Sequence, residues 1–196
     1  MTLPDKLTIS RIFLTFVFMF FLFSQGVLAK TLALVTFLVA SFTDFLDGYI
    51  AKGRNIGTDF GKLMDPIADK VLVLAAFMAF VEMKLVPAWM VVIIMLREIT
   101  ITVLRVSALA KGKVIAADGG GKQKMVSQVV SIFAITLFLI LREAGIKVFN
   151  FWSPRTEMIY KDAIFVLMLI TTVLTLASGI GYFVKNKDVY FDAKSR

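Results

Sequence analysis

The sequence predicts an all-α membrane protein with six transmembrane helices and a short amphipathic interfacial helix at its N-terminus. The 196-residue chain is 59% hydrophobic and 18% charged, whereas soluble domains are about 45–50% apolar and about 25% charged. Its mean hydropathy is +0.85, and its apolar residues fall into six runs. Because it contains no Cys and no His, disulfides, thiolate chemistry and imidazole ligands are excluded.

Each apolar run approaches the roughly 20 residues that a helix needs to cross a bilayer. Residues 1–11 alternate polar and apolar side chains around Pro4 and predict the interfacial helix. A cleavable signal peptide is the alternative for the first span, but Val27-Leu28-Ala29 is a poor cleavage site. We expect a single membrane-embedded domain over residues 1–196. The predicted spans are residues 12–29, 31–45, 60–81, 87–110, 126–141 and 163–184.

The distribution of Lys and Arg predicts the orientation of the chain. Six spans place both termini on one side, and that side carries thirteen Lys and Arg residues against six on the other. Cytoplasmic loops hold the excess of positive charge in membrane proteins. We therefore expect a multi-pass protein of the cell membrane with its termini and functional site facing the cytoplasm. The pI near 9.8 then reflects contacts with anionic lipids, and no nucleic-acid partner is expected.

Carboxylates concentrate where the second predicted span ends and the third begins. Asp44 and Asp47 are three residues apart, and Asp65 and Asp69 are four apart, so each pair shares a helix face. Pro66 leaves open that the helix ends at Asp65. Carboxylates at membrane depth are costly and usually functional. Four of them form an all-oxygen ligand set, which suits Mg²⁺ first, with Mn²⁺ or Ca²⁺ as alternatives.

The segment that joins these acids is rich in glycine and in cations. Glycine lets a ligand approach the backbone closely, and cations beside a carboxylate–metal site favour a phosphate or diphosphate ligand. A solvated cytoplasmic loop is the alternative, but such a loop does not require acids at helical spacing. The residues concerned are Gly48, Gly53, Gly57 and Gly61, with Lys52, Arg54 and Lys62.

Residues 44–69 form a known pattern. They read Asp44-Phe-Leu-Asp47-Gly48-Tyr-Ile-Ala51-Lys52, then eight residues, then Gly61-Lys-Leu-Met-Asp65-Pro-Ile-Ala-Asp69. This stretch closely resembles the signature of the CDP-alcohol phosphotransferase family, D-x2-D-G-x2-A-R-x8-G-x3-D-x3-D, at seven of its eight fixed positions. The departure is Lys52, which keeps the charge of the family's Arg but loses its two-pronged donor. Shorter matches near Arg97, Lys122 and the N-terminus resemble the phosphatidylglycerophosphate synthase branch.

The resemblance implies a six-span fold, commonly a homodimer, that binds CDP-diacylglycerol and passes its phosphatidyl group to an alcohol, releasing CMP. It implies two divalent cations, Mg²⁺ or Mn²⁺, on the motif carboxylates. Asp69 would also take the proton from the acceptor hydroxyl. The implied metal ligands are Asp44, Asp47, Asp65 and Asp69, and the implied CDP site consists of Asp44, Gly48, Ala51, Lys52, Gly61 and Asp65.

Cations in the later spans predict the acceptor pocket. Arg97 and Arg105 are eight residues apart on roughly one face of the fourth span, and Lys122 and Lys124 open the fifth. A buried Arg needs an anion, which either Glu98 or a ligand phosphate could supply. Four cations favour an acceptor that is itself a phosphate ester, and glycerol 3-phosphate fits. A structural pairing of Arg97, and headgroup binding by the two lysines, stay open.

Two other functions remain as alternatives. The acceptor could be inositol phosphate, serine or phosphatidylglycerol, because all of these use the same donor motif. Serine has no phosphate and would not need four cations, so inositol phosphate is the harder rival. A divalent-cation transporter would also use intramembrane carboxylates, but transport does not explain the glycines and cations beside them.

Overall fold

The described residues form a bundle of six helices. This computed structural model describes the backbone of residues 3–51, 59–110, 119–148 and 152–186, and the side chains of residues 9–43, 70–108, 123–148 and 152–186. Within these ranges every extended regular element is an α-helix and no strand occurs. The helices are α1 (Leu3–Phe23), α2 (Val27–Ala51), α3 (Asp59–Glu82), α4 (Ala88–Ala110), α5 (Gly119–Lys147) and α6 (Pro154–Lys185).

Short turns fold the chain into helix hairpins. Between α1 and α2, Gly26 has a φ of 106°, a left-handed conformation that glycine adopts without a steric penalty. The buried Lys30 donates a hydrogen bond to the carbonyl of Leu22 across this turn. Between α3 and α4, the amide of Leu85 donates to the carbonyl of Phe80 at 3.0 Å. These hydrogen bonds stabilise the two turns, and the helices that each turn joins contact each other.

The hairpin of α5 and α6 is fixed by a helix cap and by aromatic packing. The Ser153 side chain accepts a hydrogen bond from the amide of Thr156 at 3.2 Å, which satisfies a donor at the start of α6. The ring of Trp152 stacks on that of Tyr160 with centroids 5.4 Å apart. Phe138 of α5 contacts both rings, at 5.9 and 5.5 Å between centroids. This aromatic triplet joins the two helices where their connection ends.

The interior is built from large apolar side chains of all six helices. The fully buried rings of Phe18 and Phe37 join α1 to α2 with centroids 5.9 Å apart. The outer surface is also apolar, since Phe13, Phe16 and Phe20 are 66%, 70% and 69% exposed. Such a surface suits hydrocarbon better than water. Other buried residues of the core are Phe77, Phe80, Met90, Ile94, Ile132, Ile135 and Met168.

Two helical segments of the described ranges, Gln123–Lys147 and Pro154–Lys185, are long and apolar enough to cross a membrane. Two others, Ile9–Phe23 and Val27–Thr43, are apolar but shorter. Together with the exposed apolar surface, these segments indicate a membrane protein. The count of six spans and their orientation stay predictions.

Two predicted boundaries need correction at the N-terminal end. The predicted first span, residues 12–29, crosses the turn at Gly26, so its parts belong to α1 and α2. The turn is too short to interrupt the hydropathy of the run. Residues 3–11 are not separated from the first span, because Leu3–Phe23 is a single unbroken helix that continues into the first apolar run. The interfacial position of these residues stays a prediction.

Candidate active site

The four motif aspartates lie on two helices. Asp44 and Asp47 belong to the last turns of α2, and Asp65 and Asp69 belong to the first half of α3. Because α3 continues through Pro66, the alternative in which the helix ends at Asp65 is wrong. A helical backbone keeps each pair on a shared face. The side chains of these aspartates lie outside the described residues.

The chemistry of this donor set fits a hard divalent cation. The four motif side chains are carboxylates, and the chain has neither His nor Cys, so the ligands are oxygens, as Mg²⁺ and Mn²⁺ prefer. Among the side chains that the structure describes, no group of three or more acids could hold a metal. Of the predicted CDP site, Gly48 and Ala51 lie in α2 and Gly61 in α3, whereas Lys52 falls outside the described ranges.

A charged contact between α3 and α4 begins at the residue that follows Asp69. The ammonium of Lys70 lies 3.5 Å from a carboxylate oxygen of Glu98. The same ammonium donates a hydrogen bond to the backbone carbonyl of Glu98 at 2.9 Å and another to the hydroxyl of Thr102. Lys70 is therefore held against one turn of α4.

Glu98 is the centre of this contact, and its side chain is only 6% exposed. Its Oε1 lies 3.3 Å from Nη1 of Arg97 and accepts a hydrogen bond from the ammonium of Lys124 on α5. Nε2 of Gln128 lies 3.5 Å from the same oxygen. We refer to Lys70, Arg97, Glu98, Lys124 and Gln128 as the Glu98 cluster. Three helices, α3, α4 and α5, contribute to it.

Among the described side chains, the Glu98 cluster carries a surplus of positive charge, since three cations meet one carboxylate. Arg105 lies two turns further along α4, on roughly the same face as Arg97. Its guanidinium lies over the ring of Tyr182 on α6, 5.4 Å from the centroid. A partly buried surplus of this kind creates a positive potential that attracts anions.

Arg97 links the cluster to α6. Its Nη2 donates a hydrogen bond to the hydroxyl of Ser178 at 2.6 Å, and its stem lies against Gly179. A Cβ atom on Gly179 would come within 2.9 Å of Arg97 Cγ, so glycine leaves the space that the arginine occupies. The buried Nε of Arg97 makes no hydrogen bond within the part of the chain that the structure describes. The guanidinium is thus fixed against α6.

Three of the four predicted acceptor cations can be placed. Arg97 and Lys124 both contact Glu98, so the structural pairing of Arg97 that the sequence left open does occur. Arg105 lies over Tyr182, and Lys122 belongs to α5 with its side chain outside the described residues. Sequence reasoning missed Lys70. The signal was that Lys70 directly follows a motif aspartate within a predicted span. A lysine inside a span requires an anionic partner.

The sequence matches the family model of the CDP-alcohol phosphatidyltransferases over residues 1–191. The chain belongs to the CDP-alcohol phosphatidyltransferase family. The family resemblance and the enzyme class predicted from the motif are therefore confirmed.

Relatives of this family member carry related names. It is 36% identical to the CDP-diacylglycerol–glycerol-3-phosphate 3-phosphatidyltransferase of Bacillus subtilis (strain 168), with 94% of each chain covered. It is 33% identical to the probable phosphatidylglycerophosphate synthase of Mycobacterium tuberculosis (strain H37Rv), over 92% of this chain and 79% of the relative. A cardiolipin synthase (CMP-forming) of Oryza sativa subsp. japonica is 32% identical, over 74% of this chain and 48% of the relative.

Proposed function

We propose that this enzyme transfers the phosphatidyl group of CDP-diacylglycerol to glycerol 3-phosphate, giving phosphatidylglycerophosphate and CMP. The Glu98 cluster carries the acceptor assignment, because three cations surround a single buried carboxylate directly beside the turn that holds Asp69. A phosphate monoester carries about −1.5 to −2 charges at pH 7 and would balance this surplus. The names of the relatives from B. subtilis and M. tuberculosis support the same reaction.

The proposed reaction needs a base and a holder for the acceptor. The acceptor hydroxyl oxygen attacks the phosphorus of the phosphatidyl group, and the bond from this phosphorus to the oxygen of CMP breaks. Asp69 takes the hydroxyl proton, since a chain without His must use a carboxylate as general base. Arg97, Arg105 and the pair Lys122 and Lys124 hold the acceptor phosphate through charge-assisted hydrogen bonds.

We propose that two Mg²⁺ or Mn²⁺ ions are held by Asp44, Asp47, Asp65 and Asp69. When bound, such ions neutralise the diphosphate and stabilise the CMP that leaves. The support is the carboxylate-only donor set and its helical spacing on α2 and α3. The proposed CDP site consists of Asp44, Gly48, Ala51, Lys52, Gly61 and Asp65.

We also propose that the chain crosses the cell membrane six times, with the site and both termini in the cytoplasm, and that it forms a homodimer surrounded by membrane lipids. The support for the orientation is the excess of Lys and Arg, thirteen against six, on the side of the termini. Accessibility labelling of single cysteines in this cysteine-free chain would check the orientation, and light scattering in detergent would check the dimer.

In the deciding experiment, the purified enzyme is incubated with CDP-diacylglycerol, with Mg²⁺ or Mn²⁺, and with one acceptor at a time. The acceptors are glycerol 3-phosphate, inositol phosphate, serine and phosphatidylglycerol, and the readouts are CMP release and the lipid product. We expect phosphatidylglycerophosphate alone, and no product after exhaustive chelation. A different lipid product would reject the acceptor, and full activity after chelation would reject the metal ions. If CMP were released with none of the acceptors, the alternative of a divalent-cation transporter would be favoured.

A further inference from the structure

We infer that Glu98 is a positioning residue, whose carboxylate assembles the site for the acceptor phosphate. The inference rests on the proposed function and extends it from the cations to the group that holds them. Glu98 was expected only as a possible counter-ion for its neighbour Arg97. In the structure it contacts three cations rather than one.

The two carboxylate oxygens of Glu98 face different cations. Oε1 faces Arg97 of α4 and Lys124 of α5, and Oε2 faces Lys70 of α3. Gln128 adds an amide donor from the next turn of α5. Because protein donors contact both oxygens, Glu98 is occupied in holding the cations. It is not placed as a ligand of the substrate.

The charge balance explains why a carboxylate is needed in an anion site. Without it, three cations from separate helices would repel one another in a space with little water. With it, a surplus of two positive charges remains among the side chains that the structure describes, which matches a phosphate dianion. Glu98 therefore lowers the repulsion enough to bring the cations together without cancelling the attraction for the ligand.

The same residue ties the acceptor site to the reaction centre. Lys70 follows Asp69 directly on α3, and its ammonium is fixed by both the carboxylate and the backbone carbonyl of Glu98. Arg97, the neighbour of Glu98, is held on α6 by Ser178. One turn of α4 thus fixes both the neighbour of the proposed base and the cations that we propose hold the acceptor.

The test measures steady-state kinetics of purified Glu98→Gln and Glu98→Asp, varying each substrate in turn. We expect Glu98→Gln to raise KM for glycerol 3-phosphate by about tenfold or more, and to leave KM for CDP-diacylglycerol within about twofold. Glu98→Asp should recover part of the lost affinity, because it keeps the charge. A change that only weakened the fold would not separate the two KM values.

Glu157→Gln is the matched control. Glu157 also pairs with two cations, Arg142 and Lys161, drawn from two helices, but it lies outside the Glu98 cluster. This variant should leave both KM values unchanged. Three results for Glu98→Gln would overturn the inference. They are kinetics equal to those of the wild type, a lower KM for glycerol 3-phosphate, or equal rises in both KM values.

The inference and the proposed function fail in different ways. If wild-type enzyme makes no phosphatidylglycerophosphate from glycerol 3-phosphate, the proposed function fails. If wild type is active and Glu98→Gln keeps its KM, only the inference fails. Should Glu98→Gln not fold, Lys70→Gln carries the same test, because it removes a cation that Glu98 positions. It should raise KM for glycerol 3-phosphate severalfold, and an unchanged KM would overturn the inference.

Discussion

Within the part of the chain whose side chains are described, two carboxylates each pair with cations from more than one helix, but they differ in burial. Glu98 is 6% exposed and meets cations of α3, α4 and α5. Glu157 is 24% exposed and pairs with Arg142 of α5 at 3.4 Å and with Lys161 of its own helix at 2.9 Å. Exposed ion pairs contribute about 0–1 kcal/mol to stability, whereas buried charges need partners and usually mark function.

The two regions differ in burial and in the number of helices that converge on the carboxylate, rather than in residue types. Both regions use Glu, Arg and Lys. Around Glu157 the cations remain close to solvent, which screens them. Around Glu98 the side chains of Arg97 and Lys124 are only 11% and 10% exposed and that of Lys70 is 26% exposed, so solvent screens these cations less.

The largest expected effect is on turnover and comes from Asp69, the proposed base next to Lys70 of the Glu98 cluster. Asp69→Asn should lower kcat by about 10²- to 10⁴-fold, since it removes the proposed base. Binding of CDP-diacylglycerol should remain measurable by equilibrium binding in detergent. Asp162→Asn, at an exposed position of α6, is the control and should keep full activity. Normal turnover in Asp69→Asn would remove Asp69 from the mechanism.

The next effect concerns the arginine of the Glu98 cluster. Arg97→Ala should raise KM for glycerol 3-phosphate by roughly ten- to hundredfold, as expected for the loss of one or two hydrogen bonds to a charged group. Arg142→Ala, at the Glu157 pair, should leave this KM unchanged. An unaltered KM in Arg97→Ala would show that Arg97 serves only to pair with Glu98.

A smaller effect should come from crowding Arg97 without removing it. Gly179→Ala places a Cβ atom 2.9 Å from Arg97 Cγ, so the guanidinium must shift. KM for glycerol 3-phosphate should rise by about two- to tenfold. On the same helix, a Cβ atom on Gly181 meets nothing within 4 Å, so Gly181→Ala is the control. Equal kinetics for the two variants would show that the position of Arg97 is not critical.

The smallest expected effect is on stability and comes from the more exposed ion pairs of Glu157. Glu157→Gln should lower the free energy of unfolding by about 0.2–1 kcal/mol, measured by thermal unfolding in detergent at low ionic strength. Added salt should reduce the difference from wild type, because it screens the exposed pair. A loss well above this range would contradict the assignment of Glu157 to a surface pairing.

The helices were predictable from hydropathy, but some of their ends were not. Each apolar run is long enough to predict a helix on its own. Residues 12–29 were predicted as one span, because the turn at Gly26 is too short to lower the average hydropathy. Similarly, Pro66 left open a helix end at Asp65, but α3 continues through it.

One part of the candidate site was also predictable from the sequence, and the other part was not. The spacing of the motif aspartates is local, so helix geometry alone predicts which of them share a face. The Glu98 cluster is not local, because Lys70 and Lys124 lie 28 and 26 residues from Glu98. Only the packing of α3, α4 and α5 brings them together, and no spacing rule along the chain predicts that contact.

The aromatic triplet has a practical consequence. The chain has two tryptophans. Trp89, at the start of α4, is 50% exposed, whereas Trp152 is stacked on Tyr160. Replacing Trp89 with phenylalanine leaves a single indole fluorophore in the hairpin of α5 and α6. Its emission spectrum then becomes a built-in optical probe for the docking of α6, the helix against which the guanidinium of Arg97 rests.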